Sequence, residues 1–329
     1  MNKQWLQFIG YKSIRFVTLI GAICVFSFLL VAASPIDPIQ AYVGADMMTV
    51  GPEQRAKIAE YWGLDQPPLQ QFLRWGSAVL QGDFGTSMIY RQPVLDVIGE
   101  RFLASLALMG TAWVLSGLFG FVLGVVAGMK QGTWVDKVIR WYCYTLASTP
   151  TFWLGLLFLI VFSVWLDWFP IGLSVPAGVL VEDVTFVDRI RHLVLPALTL
   201  SVLGVANVAL HTRQKLVEVL TSDYVLFAKA RGEKGWVLFR RHGLRNIAFP
   251  AISLQFASFS ELFGGAVLAE QVFSYPGLGK TISDAGLRGD IPLLLGIVVF
   301  SAVFVFVGNL IADIIYRIVD PRIREGESI

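Results

Sequence analysis

Long apolar runs alternate along the chain with shorter polar segments. About 20 consecutive apolar residues cross a bilayer as a helix, and a helix satisfies its own backbone groups inside the membrane. The pattern therefore predicts an all-α integral membrane protein with six transmembrane helices. The predicted spans are residues 16–33, 103–129, 141–165, 192–212, 249–269 and 291–315.

The first apolar run has two interpretations. Lys3, Lys12 and Arg15 precede it without any acidic residue, and Val31-Ala32-Ala33 resembles the cleavage site of a secretory signal. The apolar region of a signal peptide is about 7–15 residues long, which is shorter than the run here. We therefore favour a first span that is retained in the protein.

Composition and charge distribution agree with a membrane protein and orient it. Hydrophobic residues make up 55% of the 329 residues and charged residues 15%, and the mean hydropathy is +0.65. Most Lys and Arg residues fall in the N-terminal tail, the second-to-third connection, the central loop and the C-terminal tail. The positive-inside rule places these segments in the cytoplasm, so both termini are expected there.

The predicted organisation has three parts. Residues 1–34 form the N-terminal tail and first helix, 35–102 a periplasmic loop, and 103–329 the core transmembrane domain. Within the outer loop, the spacing of apolar residues predicts helices over 52–62 and 69–80. In the second span, Gly117, Gly120, Gly124 and Gly128 are spaced to let helices approach closely. The alternative is that glycine is simply common in membrane helices.

The sequence lacks the motifs typical of metal-binding, nucleotide-binding and catalytic sites. Cys24 and Cys143 lie inside apolar runs, and the three His residues show no metal-ligand spacing. The chain has no P-loop motif, so we expect it not to bind and hydrolyse a nucleotide itself, and we expect no cofactor or metal site. A membrane enzyme would need a catalytic constellation within the spans. Glu261, with His192 and His211 near span ends, does not supply one.

The central loop, residues 213–250, is the segment around which the function is organised. It is rich in Lys and Arg, and it follows a helical pattern that breaks at Gly232 and Gly235 and resumes from Trp236 to Arg245. Such a loop can press on a cytoplasmic partner, with Phe227 and Trp236 as apolar anchors. For Arg240, Arg241 and Arg245 we favour contact with phospholipid headgroups.

Glu261 lies near the middle of the fifth predicted span. A carboxylate inside a membrane is costly and is by default a functional hypothesis. It can face the transport path and attract a cationic cargo, or it can form an internal hydrogen bond to Ser258, Ser260 or a neighbouring helix. The sequence leaves both interpretations open.

Nine segments in order carry a resemblance to a known family. They are SPIDP (34–38), GLDQP (63–67), GDFGTS (82–87), STPTFWLG (148–155), LPALTL (195–200), DYVLFAKARG (223–232), RRHGLRNIAFP (240–250), FGGAVLAEQVFSYPGLG (263–279) and DPRIR (320–324). Together they resemble the permease subunits of binding-protein-dependent ABC importers of the peptide/nickel class. The resemblance covers nearly the whole chain.

The resemblance implies that the central loop is an EAA-type coupling loop, whose short helix sits in a cleft of the ATPase subunit. Leu226-Phe227-Ala228 occupies the EAA position, and Gly232 is the glycine of the motif. The chain departs from the motif in two ways. Leu226 replaces the acidic first residue, and the segment from Gly232 to Pro250 is longer than in the general motif. The implied docking residues are Asp223, Tyr224, Leu226, Phe227, Ala228, Ala230, Arg231 and Gly232.

The resemblance also implies partners and a location. The partners are a second, related permease subunit, two cytoplasmic ATPase subunits that bind the ATP, and an extracytoplasmic binding protein that delivers the cargo. The location is the bacterial inner membrane. The outer loop either receives that binding protein or only covers the bundle.

The cargo would be peptides, nickel or metal chelates, and the E-L-x-G-G pattern at Glu261 leans slightly towards nickel. The alternative function is an ion-driven secondary transporter, but no internal repeat supports it.

Overall fold

The computed structural model describes residues 3–33, 39, 51–62 and 65–319. The segments 34–38 and 320–324, and the first two residues of 63–67, lie outside the described residues. The described chain is helical and contains no strand beyond one isolated bridge between Thr86 and Pro93. The prediction of an all-α protein is confirmed for these residues.

Thirteen α-helices follow one another in the described residues. They are α1 (Lys3–Ala32), α2 (Pro52–Trp62), α3 (Pro68–Leu80), α4 (Val94–Met129), α5 (Trp134–Ala147), α6 (Thr151–Phe158), α7 (Phe186–Leu220), α8 (Asp223–Ala230), α9 (Gly235–Leu238), α10 (Leu244–Ala257), α11 (Phe259–Val272), α12 (Leu278–Arg288) and α13 (Ile291–Val319). A π-helix, Leu159–Trp165, continues α6, and a second one, Phe239–Gly243, joins α9 to α10.

Four of these helices are long and apolar enough to cross a membrane, and the count rises to six if each of two bent helix pairs is one span. The third predicted span is two helices, α5 and α6, that meet at 105°. Pro150 lies at this break, where it has no N–H to donate and restricts the residue before it. The fifth consists of the helical stretch Gly235–Ala257, which ends with α10, and of α11, with a bend of 51° between them at Ser258. These two predicted spans are therefore bent helix pairs.

One compact unit comprises Met1–Leu103 and Gly277–Phe306. Its core joins the start of α4 to α12 and the start of α13 through Val94, Ile98, Leu278, Leu293 and Ile297. These contacts extend α4 nine residues before the predicted start at Leu103, because Val94 and Ile98 are buried there. The segment between the fifth and sixth predicted spans is itself partly helical, since α12 begins at Leu278 and ends at Arg288.

The other compact unit comprises Ala104–Pro276 and Val307–Ile329. Here α4 packs closely on α7, and the glycines of α4 make that approach possible. A Cβ on Gly120 would lie 2.7 Å from the Cβ of Val208, and one on Gly128 would lie 2.8 Å from Leu216 Cδ2. The prediction that these glycines serve close helix packing is confirmed for Gly120, Gly124 and Gly128.

Candidate functional site: the loop between α7 and α10

Residues 213–220 of the loop form the end of α7 and residues 244–250 the start of α10, and two glycines shape the part between them. Gly232 has φ 94° and Gly235 has φ 54°, which are left-handed conformations that residues with a Cβ rarely adopt. They end α8 and set the direction of α9. Lys229 Nζ donates a hydrogen bond of 2.8 Å to the carbonyl oxygen of Leu220, near the end of α7. The predicted break at these glycines is confirmed.

The inner face of α8 is apolar and packs within the loop. Val225 and Ala228 are buried against Leu238 of α9, with Val219 and Leu220 at the end of α7 beside them. Ala228 is only 5% exposed, so its part in the loop is to hold α8 against α9. The helix pair is thereby joined into one packed unit.

The outer face of the loop presents large apolar side chains to solvent. Phe227 and Trp236 are each 66% exposed, and Tyr224, Leu226 and Val237 are also exposed. Asp223, Lys229, Ala230, Arg231, Gly232 and Lys234 are exposed in the same segment. An exposed apolar patch with a polar rim is typical of a protein interaction site.

Side-chain contacts brace the loop from behind. Glu233 accepts a hydrogen bond of 3.0 Å from Arg241 Nη1 and lies 3.1 Å from His242 Nε2. Asn246 Nδ2 donates to the hydroxyl of Tyr224 at 3.2 Å and to the carbonyl oxygen of His242 at 2.7 Å. The connection after Gly232 is thus tied to the π-helix, and α8 is tied to α10.

These contacts change the environment of Glu233. Desolvation raises the pKa of its carboxyl group, but the hydrogen bonds from His242 and Arg241 outweigh that effect and leave the pKa below its ordinary value. Sequence reasoning missed this brace. The available signal was a single acidic residue, Glu233, among the basic residues of the segment after α8.

The three arginines behind the loop do not share one role. Arg241 pairs with Glu233, although 66% of its side chain is exposed, and Arg240 and Arg245 are exposed as well. Contact with headgroups therefore stays a prediction for all three. For Arg241 the structure adds an internal ion pair that the sequence did not predict.

Glu261 lies in the first turn of α11 and is exposed. Within the described part of the chain its side chain has no hydrogen bond or ion pair, and the hydroxyl of Ser258 donates instead to the carbonyl oxygen of Gln255 at 3.0 Å. The structure thus gives no support to the alternative in which Glu261 forms an internal hydrogen bond. Glu270 differs, since it is buried and accepts a hydrogen bond of 2.6 Å from Ser105 Oγ.

The remaining candidate groups do not assemble into a metal centre. Among the described residues, no group of three or more His, Cys, Asp or Glu side chains is placed to hold a metal ion. His192 Nδ1 lies 2.7 Å from the carbonyl oxygen of Gly172, and Cys143 is buried between apolar residues of α5 and α7. His192 and Cys143 are therefore engaged in packing and local hydrogen bonding.

Comparison with known proteins adds an independent finding. Residues 120–325 match the family described as the binding-protein-dependent transport system inner membrane component. The chain is 35% identical to the oligopeptide transport system permease protein AppB of Bacillus subtilis (strain 168), over 95% of this chain and 97% of the relative. It is 34% identical to the glutathione transport system permease protein GsiC of Escherichia coli (strain K12), over 97% and 99%.

Proposed function

The chain belongs to the family of binding-protein-dependent transport system inner membrane components, and on that premise we propose that the loop 213–250 couples it to an ATPase. The protein is a multi-pass permease of the bacterial inner membrane and a component of a peptide-class ABC importer. Its family works with a solute-binding protein and with ATPase subunits.

The observation that carries the proposal is the two-sided character of α8. Its inner side chains, Val225 and Ala228, are buried within the loop, and Phe227 points away from that packing with 66% of its surface exposed. Trp236 of α9 is equally exposed. Large aromatic residues of this kind dominate binding when a partner buries them in a pocket.

The proposal assigns roles to the exposed docking residues. Phe227 and Trp236 enter an apolar cleft of the ATPase, Tyr224 and Leu226 widen that contact, and the polar rim around Asp223 and Arg231 fixes its direction. Ala230 and Gly232 allow the partner's backbone to approach, and Ala228 supports α8 from inside. ATP is bound and hydrolysed by two ATPase subunits, and a second related permease completes the pathway.

For the cargo we propose peptides. The curated relatives named above are oligopeptide and glutathione permeases, and nickel is named in neither of them. We further propose that Glu261 lines the path, because it is exposed on α11 beside Gly264, where nothing within 4 Å would obstruct an added Cβ. A carboxylate there attracts the amino terminus of a peptide.

We also propose the topology that the charge distribution predicts. Both termini and the loop 213–250 lie in the cytoplasm, with six spans in which α5–α6 and α10–α11 each cross once as bent pairs. The outer segment, 35–102, faces the binding protein. Cysteine labelling from each side of the membrane, at Ser222 and at Ser77 for example, distinguishes this topology from its inverse.

The decisive experiment is ATPase capture by variants of the purified permease pair. Phe227→Ala and Trp236→Ala should each lower the amount of bound ATPase by roughly tenfold or more, as expected for an anchor worth about 2 kcal/mol. Phe152→Ala is the matched control, because Phe152 is an exposed phenylalanine of α6 outside the loop. Equal capture by all three variants would contradict docking through this face.

A further inference from the structure

One fully buried carboxylate connects three segments at the start of the coupling loop. Asp136, in the first turn of α5, is 0% exposed. Its Oδ1 accepts a hydrogen bond of 2.5 Å from Arg213 Nε, and its Oδ2 accepts one of 2.8 Å from Arg213 Nη2. Oδ2 also accepts from the backbone N–H of Gly132 at 3.0 Å, and Arg140 Nε lies 3.3 Å from Oδ1. We refer to Asp136, Arg213 and Gly132 as the clamp.

The clamp lies where the coupling loop joins the helices. Arg213 is on α7, ten residues before Asp223 begins α8, and Gly132 is in the turn between α4 and α5. The clamp therefore fastens the end of α7 that carries the loop to α5 and to the turn that precedes it.

Apolar packing continues the same attachment along α7. Cys143 of α5 packs against Ala206 and Ala209 of α7. On another side, Leu216 of α7 packs against Phe239 of the π-helix and Ile247 of α10. The C-terminal half of α7 thus packs against α5 on one side and against the π-helix and α10 on another.

Stability alone is a poor explanation for an ion pair in this position. Taking a carboxylate out of water is costly, and apolar residues of similar volume often serve as well or better. An Arg–carboxylate pair with two parallel hydrogen bonds, however, fixes both the distance and the direction between two elements. That property matters where a displacement must be passed from one helix to the next.

We propose that Asp136 and Arg213 are positioning residues that make α5 and the α4–α5 turn move together with α7 when the coupling loop is displaced. The inference rests on the proposed function, because it takes the loop as the point at which the ATPase acts. Without the clamp, α7 rotates or slides against α5, and part of the displacement is lost before it reaches the transport path. ATP hydrolysis then continues while less cargo crosses the membrane.

The test measures coupling separately from docking. The complete importer, with ATPases, partner permease and binding protein, is reconstituted in liposomes and supplied with a dipeptide, a tripeptide and glutathione. Two quantities are recorded: the ATPase bound per permease, and the peptide imported per ATP hydrolysed. The variants are Asp136→Asn, which keeps the shape and removes the charge, and Arg213→Lys, which keeps the charge and removes the paired geometry.

We expect Asp136→Asn to retain bound ATPase and ATP hydrolysis while the peptide imported per ATP falls by about fivefold or more, the lower end of typical coupling between sites. Arg213→Lys should lower the ratio in the same direction by a smaller factor. Glu218→Gln is the control, because Glu218 is exposed on the same helix and forms a surface ion pair with Lys215 at 2.9 Å. Its ratio should stay at the wild-type value.

Two results would overturn the inference. One is an unchanged amount of peptide imported per ATP hydrolysed in Arg213→Lys. This variant provides the test on its own if Asp136→Asn does not fold. The other is a loss of bound ATPase as large as that of Phe227→Ala, since the clamp would then only maintain the docking loop. Failure of the proposed function is a separate result, in which Phe227→Ala leaves ATPase binding unchanged.

Discussion

Gly124 of α4 lies so close to Ala209 of α7 that a Cβ on the glycine would be 2.6 Å from the carbonyl oxygen of Ala209. The same Cβ would be 2.7 Å from the Cβ of Thr212. Backbone atoms cannot move away as the end of a flexible side chain can. The two helices can therefore lie this close together near the coupling loop only because Gly124 has no side chain.

We predict that Gly124→Ala destabilises the protein by roughly 1–3 kcal/mol, the usual cost of overpacking, although alanine is the better helix former. Gly110→Ala is the matched control, because Gly110 is on the same helix and nothing lies within 4 Å of its added Cβ. Thermal unfolding of the purified permease pair in detergent compares them. A melting temperature for Gly124→Ala equal to that of Gly110→Ala would show that the helices separate freely.

Asp290 supports a second prediction, in the other compact unit. Its buried carboxylate accepts hydrogen bonds from Ser87 Oγ at 2.6 Å, the backbone N–H of Ile89 at 2.9 Å and that of Leu293 at 3.2 Å. Asp290→Ala leaves these donors without their acceptor and should destabilise the segment 84–93 by about 1–3 kcal/mol. Amide hydrogen exchange at Ile89 should become faster.

The control for Asp290 is Asp83→Ala in the same segment. Asp83 is exposed, and its carboxylate accepts a hydrogen bond of 2.8 Å from the backbone N–H of Gly85. Water can replace an exposed acceptor, so exchange at Ile89 should change little. If both variants accelerate exchange equally, Asp290 has no special part in holding the segment.

Glu233 gives the loop a predicted dependence on pH. Its pKa in the folded protein is below the ordinary value, as hydrogen bonds from His242 and Arg241 outweigh the effect of desolvation. A carboxyl group with a depressed folded pKa stabilises the fold above its unfolded pKa, and this contribution disappears as the pH falls through the folded pKa. Wild type should therefore melt at a higher temperature than Glu233→Gln near neutral pH, and the difference should vanish in acid.

Lys280→Gln is the comparison for this experiment, because Lys280 forms an ion pair with Asp284 away from the loop. Its difference from wild type should not follow the titration of Glu233. A Glu233→Gln difference that is constant from neutral pH into acid would mean that the carboxylate does not brace the loop.

Glu261 leads to a prediction about the cargo. In Glu261→Gln, uptake of a dipeptide with a free amino terminus should fall by roughly tenfold, equivalent to about 1.4 kcal/mol. Uptake of the same dipeptide with an acetylated amino terminus should change little, because it offers no ammonium group to the carboxylate. The measurement is initial uptake into liposomes containing the complete importer. Equal losses of uptake for both peptides would mean that the substitution disturbs α11 and does not affect recognition of the ammonium group.

Local patterns were enough to predict several elements. The helix predicted over 52–62 is α2, Pro52–Trp62, and the one predicted over 69–80 is α3, Pro68–Leu80. Apolar spacing and neighbouring prolines determine such helices within a dozen residues. The start of α4 was missed because Asp96, Glu100 and Arg101 interrupt its apolar run, while its buried residues are recognisable only from their contacts with α12 and α13.

The sequence by itself determined that this is a helical membrane protein with a basic, glycine-broken loop, because chain hydropathy and the backbone freedom of Gly232 and Gly235 are local properties. The family resemblance was likewise readable from ordered motifs. Only the tertiary structure decided that Ala228 faces inward while Phe227 faces outward, since this depends on where Leu238 packs. It also brought Asp136 to Arg213, 77 positions apart, because burial of a charge is settled by the helices that surround it.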